Sequence, residues 1–268
     1  MRSIKQPLFI AGVVVLCAWT IVPIYLVALG GLGGDQGVYT WPKPFWPLAW
    51  SAGNLSAFLT IQGIWPAMLR SVEVAAMCMG FSIALGTPAG YALARFAFRG
   101  ANAYRLAILL TRAFPVGILA LPLAVSYVRL GLYDTALGVA LIHTALALPF
   151  AVLVTSSLFL GIPRELEEAA RVFGCSGLSA FRRVVLPLAL PGVAATAIFA
   201  FVISWNEVFA AAVLTVRHKT LTAFLLSVLS ESPLQAQFTG GFLLIVPSMI
   251  FIFLVRRYLF AMWGIASR

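Results

Sequence analysis

Apolar residues fill this chain in long blocks, and the charged residues fall between the blocks. Uncharged stretches run over 8–34, 74–94, 135–163, 184–206 and 232–255. One more, 113–128, reaches helix length when Arg112 is taken inside it. A membrane-crossing helix needs about 20 mostly apolar residues, each advancing it about 1.5 Å. The ten-residue alternating segments of a membrane barrel are absent, so the spans are helical. Reading inward from each break predicts helices near 8–31, 66–95, 104–128, 134–160, 188–213 and 240–261. The fold class is therefore all-α: a polytopic membrane protein with about six transmembrane helices, read as a single domain over 1–268.

Composition agrees, with 62% hydrophobic and 10% charged residues and a mean hydropathy of +1.02. A soluble domain of this length needs a more polar surface. A cleaved signal peptide is the other reading of the first block, but its apolar core is longer than a signal core and no Ala-x-Ala site follows. The net charge of +10 raises the question of nucleic acid, and its placement answers otherwise. With six crossings and an internal N-terminus, twelve of the eighteen basic residues fall on the cytoplasmic side and five outside, with Arg112 in a span. This bias predicts two cytoplasmic termini in an inner membrane, with lipid rather than nucleic acid as the surrounding partner. The outer segment 33–65 carries Tyr39, Trp41, Phe45, Trp46, Trp50 and Trp65, as an interfacial belt would, or a surface that meets a docking protein or substrate. Cys17, Cys78 and Cys175 form no Cys-x-x-Cys pair and read as small apolar packers, with no metal site expected.

The most informative segment is the predicted cytoplasmic loop 161–187. Pro163 suits the first turn of a short helix, and Glu165, Glu167 and Glu168 favour the positive end of its dipole. Ala169, Ala170, Val172 and Phe173 continue it, and Gly174 accepts the left-handed conformation of a C-terminal cap. Ser176 or Ser179 is placed to cap a second short helix, which Pro187 is expected to close. The loop thus reads as a helix–turn–helix knuckle that a partner grips.

Glu168-Ala169-Ala170, three residues, Gly174, nine residues, then Val184-x-Leu186-Pro187 resembles the EAA loop of binding-protein-dependent ABC importer permeases. Ala147-Leu148-Pro149-Phe150-Ala151 and Ser204-Trp205-Asn206-Glu207 are similar to the carbohydrate-importer, maltose-permease-like branch, as is Arg257-Tyr258-Leu259. Two features depart from that pattern: Arg70-Ser71 stands where Asn-Ser is usual, and the tail after Tyr258 is short. The resemblance implies a type I importer permease that forms half of a sugar pathway. It also implies a second permease subunit, an ABC ATPase dimer carrying ATP and Mg, an extracytoplasmic substrate-binding protein and a carbohydrate substrate. No cofactor is expected on this chain, which lacks a G-x-x-x-x-G-K-[ST] phosphate loop. Glu168, Ala169, Ala170, Gly174, Leu186 and Pro187 are the expected ATPase-coupling residues.

Intramembrane polar groups supply the other candidates. Asn206 and Glu207 could hydrogen-bond sugar hydroxyls while Trp205 stacks on an apolar sugar face, or they could form a structural network. Glu73 and Arg112 lie near predicted span ends, where snorkelling or pairing explains them. His143 reads as a packed histidine. No clustered His, Asp, Glu or Cys suits an active site, so an enzyme is disfavoured and no catalytic residue is assigned. An ion-coupled secondary transporter and an ABC permease for a non-sugar solute remain the alternatives.

Overall fold

A computed structural model describes residues 5–34, 38–42, 45–46, 53–96, 98–230 and 232–262. Trp50 and the Gly264–Arg268 tail lie outside the described residues. Among the described residues, five helices are long and apolar enough to cross a membrane: 6–32, 64–95, 136–161, 177–206 and 234–254. A bent pair, Ala101–Thr111 and Val116–Leu130, passes the same test together and makes six when counted as one broken span. The expected all-α fold with about six spans is present.

The chain forms two compact units, Met1–Trp65 with Leu225–Pro247, and Pro66–Phe224 with Ser248–Arg268. In the first, α1 (Lys5–Leu32) meets the start of α12 (Leu234–Met262) through Gly30 and Gly31, which lie against Phe238 and Thr239. A Cβ on Gly30 would stand 2.6 Å from the Phe238 ring. Thr239 donates to the Gly31 carbonyl at 3.2 Å. α2 (Gly53–Leu59) adds the buried ring of Phe58.

The second unit is built around α6 (Ala136–Gly161), flanked by α3 (Ile64–Arg95) and α9 (Leu186–Asn206). Lipid offers helices no hydrophobic incentive to associate, so close packing of small residues and interhelical hydrogen bonds must hold them. Ala140, Ala147 and Ala151 of α6 and Ala195 and Ala200 of α9 are accordingly buried. Gly86 abuts Ala151, and a Cβ on Gly192 would collide with Leu158. Thr155 donates across to the Gly86 carbonyl at 3.0 Å.

Four features differ from the sequence expectation. The third span is broken at residues 112–115, where α4 (Ala101–Thr111) and α5 (Val116–Leu130) meet at 89°. Pro115, which lacks an N–H and opens α5, accounts for the break. Arg112 therefore sits at that break rather than at a span end. The fifth span ends at Asn206 instead of 213, and a separate short helix, α10 (Phe209–Leu214), follows. α11 (Leu221–Leu229) precedes a sixth span that starts at Leu234 rather than near 240. Finally, Pro187 does not close the loop's second helix: α8 (Gly177–Ala180) passes through a π turn, Phe181–Val185, directly into α9. Pro187 follows directly on the π turn, inside the continuous helix.

Candidate functional site

The knuckle forms as its residues dictate. α7 (Arg164–Val172) begins after Pro163 and carries Glu165 and Glu167 in its first turn and Arg171 in its last, complementing the helix dipole at both ends. Gly174 adopts φ +87°. Its N–H reaches the Arg171 carbonyl at 3.0 Å, and the Cys175 N–H reaches that of Ala170 at 3.0 Å. This is a Schellman cap, which a left-handed residue must provide. The Ser176 hydroxyl then accepts the Ser179 N–H at 3.3 Å and starts the next helix.

The side chain that secures α7 to the bundle is Glu167, not Glu168. Glu167 is buried, and its carboxylate accepts the Tyr91 hydroxyl at 2.6 Å and Arg171 at 2.9 Å. It also pairs with Arg95 at 3.3 Å. Arg95 donates onward to the Ile162 carbonyl at 3.0 Å, and Arg164 to the Ala94 carbonyl at 3.2 Å. With Glu167 turned inward, helical spacing turns Glu168 and Ala169 outward, and both are exposed. Val172 and Phe173 stand 85% and 88% exposed beside them. Ala170 and Leu186 are half-buried, and Gly174 and Pro187 exposed. Sequence reasoning placed Glu167 only among dipole-favoured residues. The signal for its role was its i, i+4 spacing to Arg171.

At the other end of the same unit, Trp205 is buried and Asn206 is exposed, its amide donating to the Val202 carbonyl at 2.8 Å. Glu207 follows the last turn of α9 with extended backbone. Its carboxylate accepts the N–H groups of Ala210 and Ala211 at 3.0 and 3.1 Å, which starts α10. It also meets His143 Nε2 at 3.1 Å, while His143 Nδ1 meets the Ser204 hydroxyl at 2.8 Å. His143 is thus a packed, doubly bonded histidine. Asp134, at φ +59°, closes the far end of α10. One carboxylate oxygen accepts the N–H groups of Val216, Arg217 and His218 at 2.8, 3.1 and 3.0 Å. Partial burial pushes this carboxyl up, but the hydrogen bonds from His218, Val216 and Arg217 outweigh it and hold it below the usual carboxylate value. Ser71 accepts the Leu221 N–H at 2.8 Å, and Arg70 pairs with Glu73 at 2.9 Å.

The helical bundle thus presents a short knuckle at 164–174, anchored from behind by Glu167. Residues 86–262 match the model of the binding-protein-dependent transport system inner membrane component family. The chain belongs to that family and is an ABC importer permease. It is 33% identical over 201 residues to the trehalose transport system permease SugB of Mycobacterium tuberculosis, covering 73% of each chain. To the arabinooligosaccharides transport system permease AraQ of Halalkalibacterium halodurans it is 31% identical over 223 residues, 81% of this chain and 79% of that one. A bacterial ABC transporter that imports the acidic polysaccharide alginate has the same fold, with a TM-score of 0.73, 22% identity and 96% and 98% of the two chains covered. The MetNI methionine ABC transporter matches at a TM-score of 0.61 and 23% identity, over 80% of this chain and 99% of that one.

Proposed function

We propose that this chain is half of the translocation pathway of a carbohydrate importer, driven through the knuckle at 164–174 by an ABC ATPase. The sugar class rests on relatives named for trehalose and arabinooligosaccharide transport. The partners are a second permease, two ATPase subunits that hold ATP and Mg, and an extracytoplasmic binding protein. Both termini and the knuckle lie in the cytoplasm, as the basic-residue bias requires. Of the pathway candidates Trp205, Asn206 and Glu207, exposed Asn206 is the one free to meet a solute, while Trp205 is buried and Glu207 binds the start of α10.

The observation that carries this reading is the outward surface of α7. Val172 and Phe173 expose apolar side chains beside Glu168 on an element fixed from behind by Glu167. That exposed apolar pair, next to a charged residue, supports a footing for a partner there. Small Ala169 lets that partner approach closely, and Glu168 offers it a charged contact.

Gly174→Asp and Glu168→Lys test the assignment. No atom lies within 4 Å of a Cβ at Gly174, so the substitution costs only the backbone conformation, about 1–2 kcal/mol. Both variants are expected to insert normally yet lose ATPase co-purification or sugar uptake in vesicles. Full assembly and full uptake in both would remove the knuckle from the coupling. Phe173→Cys tests the orientation: an impermeant thiol reagent labels it only from the cytoplasmic side.

A further inference from the structure

The break in the third span brings together two things lipid does not tolerate. Residues 112–115 are non-helical, and Arg112 at their start is exposed. Their depth follows from α6, which they face across a cavity of about 260 Å³ lined by Arg112, Phe114, Ala145, Leu146, Pro149 and Ile203. Ala145 and Pro149 lie nine and thirteen residues into the twenty-six of α6, roughly 14–20 Å from its start and close to mid-membrane. Non-helical backbone at that depth persists only when it is covered by protein or lines a water-filled cavity. An arginine there is expensive in lipid and marks a functional path. Among the described residues no carboxylate pairs with it: Glu73, Asp134, Glu167 and Glu207 are paired elsewhere. Glu165 and Glu168 stand on α7 at the membrane face.

We propose that Arg112 and Phe114 form a subsite for one sugar ring on the translocation path. This rests on the carbohydrate-importer reading and extends it to a place in the chain. The guanidinium is a planar fork that matches two adjacent oxygens, whether vicinal hydroxyls or a ring carboxylate. The Phe114 ring, 63% exposed, offers an apolar face for the underside of the same ring. The cavity is smaller than the roughly 300–1,000 Å³ that engulfs a whole ligand, as a site handling one ring at a time should be. The broken backbone gives the ring room that a straight helix would fill.

The test uses the whole importer in proteoliposomes, with Cys17, Cys78 and Cys175 replaced by alanine. Uptake by the unsubstituted importer and by this parent is measured first, and an unsubstituted importer that takes up no sugar overturns the carbohydrate reading. Arg112→Cys is expected to react with a water-soluble methanethiosulfonate in the assembled complex and to be protected by the transported sugar. Arg112→Ala is expected to raise the KM for uptake about tenfold or more, the loss expected when hydrogen bonds to a charged group disappear. Arg112→Lys separates the two oxygen sources. It restores uptake of a sugar acid, where charge suffices, but not of a neutral sugar, where the fork is needed. Phe114→Ala lowers uptake and Phe114→Tyr restores it. An unreactive Arg112→Cys, an unchanged KM in Arg112→Ala, or loss of permease pairing in either variant overturns the subsite.

Discussion

At the knuckle end of the unit from Pro66 to Phe224, the buried carboxylate of Glu167 is held by side chains: Tyr91, Arg95 and Arg171. At the opposite end, Glu207 and Asp134 are held largely by backbone N–H groups, of Ala210 and Ala211 and of 216–218. Backbone donors have positions set by the fold, so the second arrangement braces α10 at both ends and fixes one geometry. Side-chain donors turn about several bonds, so the first arrangement is a clasp that can be released and remade without unfolding a helix. If the knuckle is the coupling element proposed above, the comparison locates where motion enters: the clasped end would receive force and the braced end resist it.

Three measurements break or sharpen that contrast. The largest effect is expected from Glu167→Ala, which strands a buried Arg95 cation; removing one partner of a buried pair costs roughly 3–5 kcal/mol. The thermal midpoint of the purified complex should fall, and ATPase co-purification should fall with it. A normal midpoint with lost co-purification would instead make Glu167 part of the docking face. A smaller loss is expected from Glu207→Ala, which leaves two N–H groups of α10 and one nitrogen of His143 without their acceptor, about 1–3 kcal/mol. Here the midpoint should drop while ATPase binding persists, and parallel loss of both would erase the difference between the ends. The smallest effect concerns pH and Asp134. Its native carboxyl lies below its ordinary value of 3.8. Its contribution is therefore complete above that value and is lost as pH falls through the lower native one. Asp134→Asn tolerates the left-handed backbone, so its stability should fall less steeply below about pH 4 than that of the parent. Identical acid slopes would show that the clamp contributes no ionic stability.

The blocks of apolar residues made the spans legible, because length and charge exclusion need no tertiary information. The knuckle was legible for the same reason: Pro163, Gly174 and Ser176 act through their own backbone neighbours. The end of the fifth span was not. Phe209–Leu214 is as apolar as the helix before it, and only the Glu207 carboxylate folding onto the N–H groups of Ala210 and Ala211 divides them. Asn206-Glu207 was read as a polar insertion in a span, when it was the punctuation that ends one. Glu167 was hidden behind Glu168, since three acids in four residues look alike until packing turns one inward. The fourth difference, helical continuity through Pro187, depends on a π turn that no residue type announces.

That continuity has a mechanical consequence. The helix from Gly177 to Asn206 has 30 residues, about 45 Å of rod in a hydrocarbon layer about 30 Å thick. Upright in such a layer with its Asn206 end flush, the rod would leave about a third of its length clear on the knuckle side, including the π turn and the exposed Arg182 and Arg183. If the rod pivots where it enters the membrane, its outer arm is half as long as its inner arm. A displacement at the knuckle then arrives roughly doubled and reversed in direction at Asn206. On the coupling proposed above, the chain would work as a crank, gaining travel at the cost of force, so that a small closure between ATPases would suffice for a wide opening on the opposite face.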